Sequence, residues 1–231
     1  MAVRLLKPKD ISCRVQQVTE KGVILLLYVT SRAGQSLLDE KYGELGWQDS
    51  YKVVDGDLYC TISAWDKEKR MWVSKEDVGT ASYTEKEKGR ASDAFKRACV
   101  KHGIARELYS APFIFIPKAA CKITEKSGKF TTREKFYVND ITYNAANEID
   151  SLEIINENME IVFKTFPSGN ISNVQATALS KAMENAGVDE DEVLAVCKIK
   201  DLRDMTMDQY ARVSIKIQKT LESKQSGGQG A

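Results

Sequence analysis

One amphipathic helix constrains this chain more than any other feature. Between Ser82 and Gly103, the residues Ala91, Ala94, Phe95, Ala98, Cys99 and His102 recur at i, i+3 and i+4, which sets them on one helical face. Ser82 followed by Glu85 is a capping-box pattern at its start, and Gly103 is a suitable stop. Lys86, Arg90, Arg97 and Lys101 fall on a stripe along the opposite side, with Lys96 at its flank. The rest of the chain must therefore cover the apolar face while leaving a line of cations. From Thr84 to Arg106 there are seven basic residues against three acidic ones, in a chain of formal net charge +1. Binding a nucleic-acid backbone requires such a local field and not a high overall charge. Pattern alone also fits a plain solvated helix face.

The segments before this helix read as strands and one further helix. Val15–Val18 and Val23–Val29 flank Glu20-Lys21-Gly22 and predict a hairpin whose second strand is buried. Ser31–Tyr42 has helical spacing at Ala33, Leu37, Leu38 and Tyr42, with Gly43 at the C′ position and Gly34 as a weakness. Tyr51–Val54, Leu58–Trp65 and Met71–Ser74 predict an antiparallel meander turned at Asp55-Gly56-Asp57 and Asp66–Lys69. After the basic helix, Phe113–Ile116 is a short strand. Ala120–Thr124 and Lys129–Val138 predict a hairpin around Ser127-Gly128. The stretch from Asn139 to Phe166 reads as a short helix and one strand near Ile161–Phe163.

Pro167-Ser168-Gly169-Asn170 is a linker signal. Beyond it, Ser172 with Gln175, Asp189 with Glu192, and Thr206 with Gln209 are three successive helix-start patterns. The expected organisation is a core over residues 1–166, a helical C-terminal module over 167–222 and a disordered tail over 223–231. The fold class is α+β: an antiparallel β-meander packed on helices, followed by a small three-helix module. At 231 residues the chain is long enough for one substantial core and a small second module.

Several chemistries lack their residues. The apolar run Val23–Val29 is too short to span a bilayer, and no signal-peptide pattern opens the sequence. Five cysteines (Cys13, Cys60, Cys99, Cys121, Cys197) occur without a C-x-x-C pair, and His102 is the single histidine. A zinc cluster is not expected, and unpaired cysteines suit a reducing, cytoplasmic setting. Ser127-Gly128-Lys129-Phe130 lacks the upstream glycine and the hydroxyl of a P-loop. Asp39-Glu40 and Glu76-Asp77 are adjacent carboxylates, but neighbours on a strand point to opposite faces and do not chelate by themselves. His102 falls on an apolar helix face and reads as a packed histidine. No catalytic residue, metal or cofactor is expected, and the chain is not read as an enzyme.

The segment Leu37–Pro112 resembles the core of the Rad-fifty-two type of single-strand annealing proteins, phage members included. The residues that carry the resemblance are Asp39-Glu40-x-Tyr42-Gly43-x-x-Gly46-Trp47, Glu76-Asp77-Val78-Gly79, Asp93-Ala94-Phe95-Lys96-Arg97-Ala98, then Gly103 and Leu108-Tyr109. The resemblance implies a meander packed on helices, assembled into rings or helical filaments, with single-stranded DNA between the sheet and the helix bearing Lys96 and Arg97. It makes Lys96 and Arg97 the first candidates for phosphate contact and adds Arg32 from the preceding helix. With the rest of the basic helix, the candidate DNA-binding set is Arg32, Lys86, Arg90, Lys96, Arg97 and Lys101. Glu44-Leu45 stands where some relatives carry an aromatic, so base stacking does not carry over to that position.

The function expected on these grounds is ATP-independent single-stranded DNA binding and annealing in homologous recombination and DNA repair, by a cytoplasmic homo-oligomer, in the bacterial host cytoplasm if the chain is phage-encoded. Residues 172–222 are expected to dock a partner such as a single-strand-binding protein or an exonuclease. The alternatives are protection of DNA ends or single strands without annealing, a metal-dependent nuclease, and a structural scaffold.

Overall fold

The computed structural model describes residues 3–80 and 86–227, with side chains for 3–80 and 89–223. The chain divides between Lys164 and Thr165 into two compact units. The Ser82–Glu85 cap pattern lies outside the described residues.

In the first unit, β1 (Ser12–Val18) and β2 (Gly22–Tyr28) form an antiparallel hairpin, and the far edge of β2 pairs with β6 (Ile114–Pro117). Strand β2 is central, so its apolar run is buried at Val23 and Leu25. The chain then enters α1 (Ser31–Tyr42), where the Thr30 hydroxyl caps the start by accepting from Ala33 N at 3.2 Å. Gly34, which weakens the helix as a sequence, has a packing reason. A Cβ there would lie 3.2 Å from the Phe95 ring and 3.3 Å from Cys99 Sγ, so its absence lets α1 approach the next helix closely.

Strands β3 (Trp47–Val54), β4 (Asp57–Asp66) and β5 (Met71–Gly79) form the expected meander in that order. Cys60, Ile62 and Ala64 of β4 stand opposite Asp77, Lys75 and Val73 of β5, so all six share one face. That face is covered by α2 (Lys86–Lys101), whose Ala94, Phe95, Ala98 and Cys99 are buried. Strand β5 runs past the expected Ser74 to Gly79 because its pairing with β4 continues unbroken to Leu58.

The region after β6 departs from the expectation. Strands β7 (Thr124–Lys126) and β8 (Lys129–Thr131) form only a short hairpin, turned by Ser127 and Gly128 at φ 52° and 73°. The predicted long second strand breaks after Thr131. Phe136 begins β9 (Phe136–Tyr143), which leaves the hairpin to pair with β10 (Ile149–Asn156), itself paired with β11 (Ile161–Lys164). No helix occurs between Asn139 and Phe166. Two antiparallel three-stranded sheets, β1-β2-β6 and β11-β10-β9, share one core with α1, α2 and the meander through residues such as Leu25, Leu38, Ile62, Phe95, Ile116 and Ile154.

The second unit is helical: α3 (Asn173–Ala186), α4 (Glu190–Cys197) and α5 (Met207–Gly227) around Leu179, Met183, Leu202, Met205 and Ile217. Ser172 with Gln175 and Thr206 with Gln209 form reciprocal caps, while Asp189 accepts from Asp191 N without help from Glu192. The predicted linker is partly built into this unit, since Asn170 bridges to Thr206 and Ile171 N donates to Met205 O. The first part of the expected disordered tail is helical, because α5 continues through Ser223 to Gly227; the rest of that expectation lies outside the described residues. Among the described residues no helix is long and apolar enough to cross a membrane.

Candidate functional site

The sequence-predicted cations are brought together only in part. Lys96 and Arg97 line one shallow cleft of about 280 Å³, bounded by Tyr28 at the end of β2 and by Leu108 and Tyr109 in a 3-10 turn after α2. The Lys96 ammonium lies 5.8 Å from the centroid of the Tyr28 ring, within cation–π range. Arg97 leans toward β5, where its Nε and Nη2 donate to Asp77 Oδ1 at 3.4 and 3.3 Å. Lys101 meets the other oxygen of Asp77 at 3.6 Å. The Asp77 side chain is only 17 % exposed, against 43 % for Arg97 and 50 % for Lys101. The carboxylate is thus a largely buried anchor from which two cations reach solvent. Long contacts of this kind stabilise by about 1 kcal/mol at most, so both cations remain available to a stronger anion.

Arg90 is placed differently. Its Nη1 donates to Gly56 O and its Nη2 pairs with Asp57, each at 2.8 Å. Its Nε is buried without a hydrogen-bond partner among the described residues. This guanidinium fastens α2 to the turn between β3 and β4. Arg32 is exposed in the first turn of α1. Ser31 Oγ and Ser92 Oγ are hydrogen bonded at 2.6 Å, so α1 begins beside α2 one turn before Lys96. Lys86 opens α2, and its side chain lies outside the described residues.

The C-terminal end of α2 gathers cations that the helix pattern does not contain. Lys41 Nζ donates to His102 O at 3.3 Å, Lys75 Nζ to Lys101 O at 2.8 Å, and Arg106 Nη2 to Val100 O at 3.1 Å. The two lysines satisfy carbonyls at the helix end, Arg106 adds a second bond to the Val100 carbonyl that Gly103 N already meets at 2.9 Å, and all three oppose the negative end of the helix. Lys41 and Lys75 also line a cleft of about 440 Å³ with Trp65, Lys67 and Lys69. A third cleft joins Lys41 to Arg106 and Tyr109. Cations therefore follow one another from Lys96 around the end of α2 to the β4–β5 turn. Among these additions Arg106, in the basic Thr84–Arg106 segment, and Tyr109, within Leu108-Tyr109, carried a sequence signal. The lysines come from segments distant in sequence.

The acidic residues of the motifs are each held by a neighbour. Trp47 Nε1 donates to Asp39 at 2.6 Å, and Glu40 pairs with Arg4 at 2.9 Å. Asp93 accepts from Thr80 N and Thr80 Oγ1 at 3.0 and 2.9 Å. Glu76 is held by Lys52 at 2.7 Å and Thr61 at 3.1 Å, and these hydrogen bonds lower its pKa, the one from Lys52 most. Each carboxylate of the two adjacent pairs thus has a partner of its own. Among the described residues no three potential ligands converge as a metal site would require. His102 is buried, with Nε2 placed 2.9 Å from Ile62 O; a carbonyl only accepts, so Nε2 carries the proton. Burial lowers its pKa.

No family model and no curated protein matches the sequence. The geometry by itself defines a class: an α+β fold with a solvent-facing cleft in which two cations stand beside two tyrosines and one carboxylate, Asp93, which Thr80 holds.

Proposed function

We propose that this chain binds single-stranded DNA along its phosphates at the Lys96–Arg97 cleft and, as a homo-oligomer in a ring or helical filament, promotes annealing of complementary strands without ATP. The observation that carries the reading is that Lys96 and Arg97 share one open cleft, with the cation series continuing from it around the end of α2. Such a track suits an extended polyanion better than a compact substrate. Annealing is downhill by about 1.4 kcal/mol per stacked step, so it requires strands held extended and close, not a reacting group. The resemblance to annealing proteins extends the reading to recombination and repair in the cytoplasm, that of a bacterial host if the chain is phage-encoded.

Assembly is supported by β3, an edge strand of its sheet that exposes Tyr51, Val53 and Val54. An uncovered apolar edge is a pairing surface. The helical unit carries eight acids against six bases from Ser172 to Lys216. A unit without a basic excess is a poor phosphate site, so its role in this reading is to dock a protein partner such as a single-strand-binding protein or exonuclease.

The test is strand pairing with labelled complementary oligonucleotides, with and without Mg²⁺ and ATP, alongside binding titrated across salt. Pairing without either cofactor is expected. Lys96→Ala and Arg97→Ala are each expected to lower the salt slope by about 0.7 for every phosphate that is no longer neutralised. Binding without pairing would indicate strand protection instead, and Mg²⁺-dependent loss of substrate would indicate a nuclease.

A further inference from the structure

We propose that Tyr109 is a stacking platform for one unpaired base, set beside the cations that hold the neighbouring phosphates; the proposal rests on the reading of the cleft as a single-strand site. Tyr109 is 75 % exposed, an unusual cost for a large ring, and its hydroxyl has no hydrogen bond among the described residues. The backbone beneath it is fixed. Ala105, buried at the cleft wall, takes a left-handed φ of 60° and starts the 3-10 turn Arg106–Ser110. A non-glycine residue there is strained, and such strain persists only where surrounding contacts enforce it.

Those contacts flank the tyrosine. Glu107 is buried and its Oε1 accepts from Leu6 N at 2.8 Å. Ser110 Oγ donates to Glu107 O at 2.7 Å and accepts from Ile149 N at 2.8 Å. Leu108 packs against the core. The chain thus presents an uncovered ring from a segment held on both sides. A ring pre-set in this way loses little freedom when it is covered. Tyr28, the other ring of the cleft, is half-buried under Lys96 and serves the cation.

What covers Tyr109 is specified by its neighbours. Lys96 and Arg97 line the same cleft, and Arg106 lies with Tyr109 in the adjoining one. A flat ring between cations matches a strand whose bases and phosphates alternate. Stacking uses the face of a base and leaves its pairing edge free, as annealing requires.

The experiment uses the full chain as wild type, Tyr109→Phe, Tyr109→Ala and Lys96→Ala. Each is titrated with oligo-dT, with an abasic oligonucleotide of the same length, and with a strand carrying 2-aminopurine. Tyr109→Ala is expected to weaken oligo-dT binding by about 5- to 150-fold, to leave abasic binding unchanged and to abolish quenching of 2-aminopurine. Tyr109→Phe should match wild type in all three. Equal loss on both oligonucleotides, or no loss on either, overturns the proposal. So does a change in assembly mass by light scattering for Tyr109→Ala, which would make the ring a contact between copies. If Lys96→Ala weakens both oligonucleotides while Tyr109→Ala weakens neither, the stacking role alone fails. If Lys96→Ala changes neither, the reading of the cleft fails.

Discussion

Gly79 at the end of β5 lies directly against Ala94 of α2. A Cβ on Gly79 would sit 3.0 Å from the Ala94 methyl, 2.9 Å from the Ala94 nitrogen and 2.2 Å from the carbonyl oxygen of Arg90. Two of these obstacles are backbone and cannot rotate away. Gly79→Ala is therefore expected to destabilise the protein by about 1–3 kcal/mol, the range for overpacking. Urea denaturation measures it, and an unchanged midpoint would contradict the contact.

Asp77 ties Arg97 and Lys101 to the sheet. Asp77→Asn keeps an acceptor but removes the negative charge that Arg97 and Lys101 face. Stability should change by less than about 1 kcal/mol, since both cations are substantially exposed. Under the proposed function, single-strand affinity should rise and the salt slope should steepen by up to about 0.7 for each cation released. Titrations at two salt concentrations read both effects. Weaker binding by the variant would show that Asp77 aims the cations and does not restrain them.

His102 makes stability fall on mild acidification. Its folded pKa is lowered, by burial first and then by the charges of Lys75 and Lys41. Below the unfolded value of about 6.5 the unfolded chain binds a proton that the folded chain refuses, so stability drops by up to about 1.4 kcal/mol per pH unit. Above that value both states are neutral and this contribution is flat. Thermal melts from about pH 7.5 to 5.5, a window that brackets the unfolded value, should show the decline, and His102→Gln should remove most of it. An equal decline in the variant would assign the effect to other groups.

Ser172 and Gln175 cap α3 reciprocally, with Ser172 Oγ accepting from Gln175 N at 3.3 Å and Gln175 Oε1 accepting from Ser172 N at 2.9 Å. Ser172→Ala should cost about 1 kcal/mol. The loss should appear as faster amide exchange in the first turn of α3, whereas α1 should exchange as before. Unchanged exchange in α3 would mean that Gln175 suffices alone.

The helices were legible because their apolar residues repeat at the helical period and their ends carry cap residues. Strand β10 was not. Its pairing with β9 shifts register between Glu153 and Ile154, as does its pairing with β11 between Ile154 and Ile155. These irregularities bury Leu152, Ile154 and Ile155 without clean alternation, which is the main signal a strand offers a reader. The cleft was half legible. Lys96 and Arg97 stood out as neighbours on one helix. Arg106 belonged to the same basic segment. Tyr28 and the cations Lys41 and Lys75 join them only through folding, which no spacing records. Arg90 shows the converse: a position on the basic stripe does not reveal that the turn at Gly56-Asp57 will occupy its guanidinium.

The capped end of α2 also has an order in time. Lys41 precedes its carbonyl partner by 61 residues and Lys75 by 26, while Arg106 follows Val100 by only six. A ribosome releases the chain from its N-terminus, so both lysines have emerged before the helix that needs them. Once Arg106 clears the exit, all three of these donors to the last turn are present. None of them waits for the later strands, and α2 can be closed off while the second half of the chain is still being made.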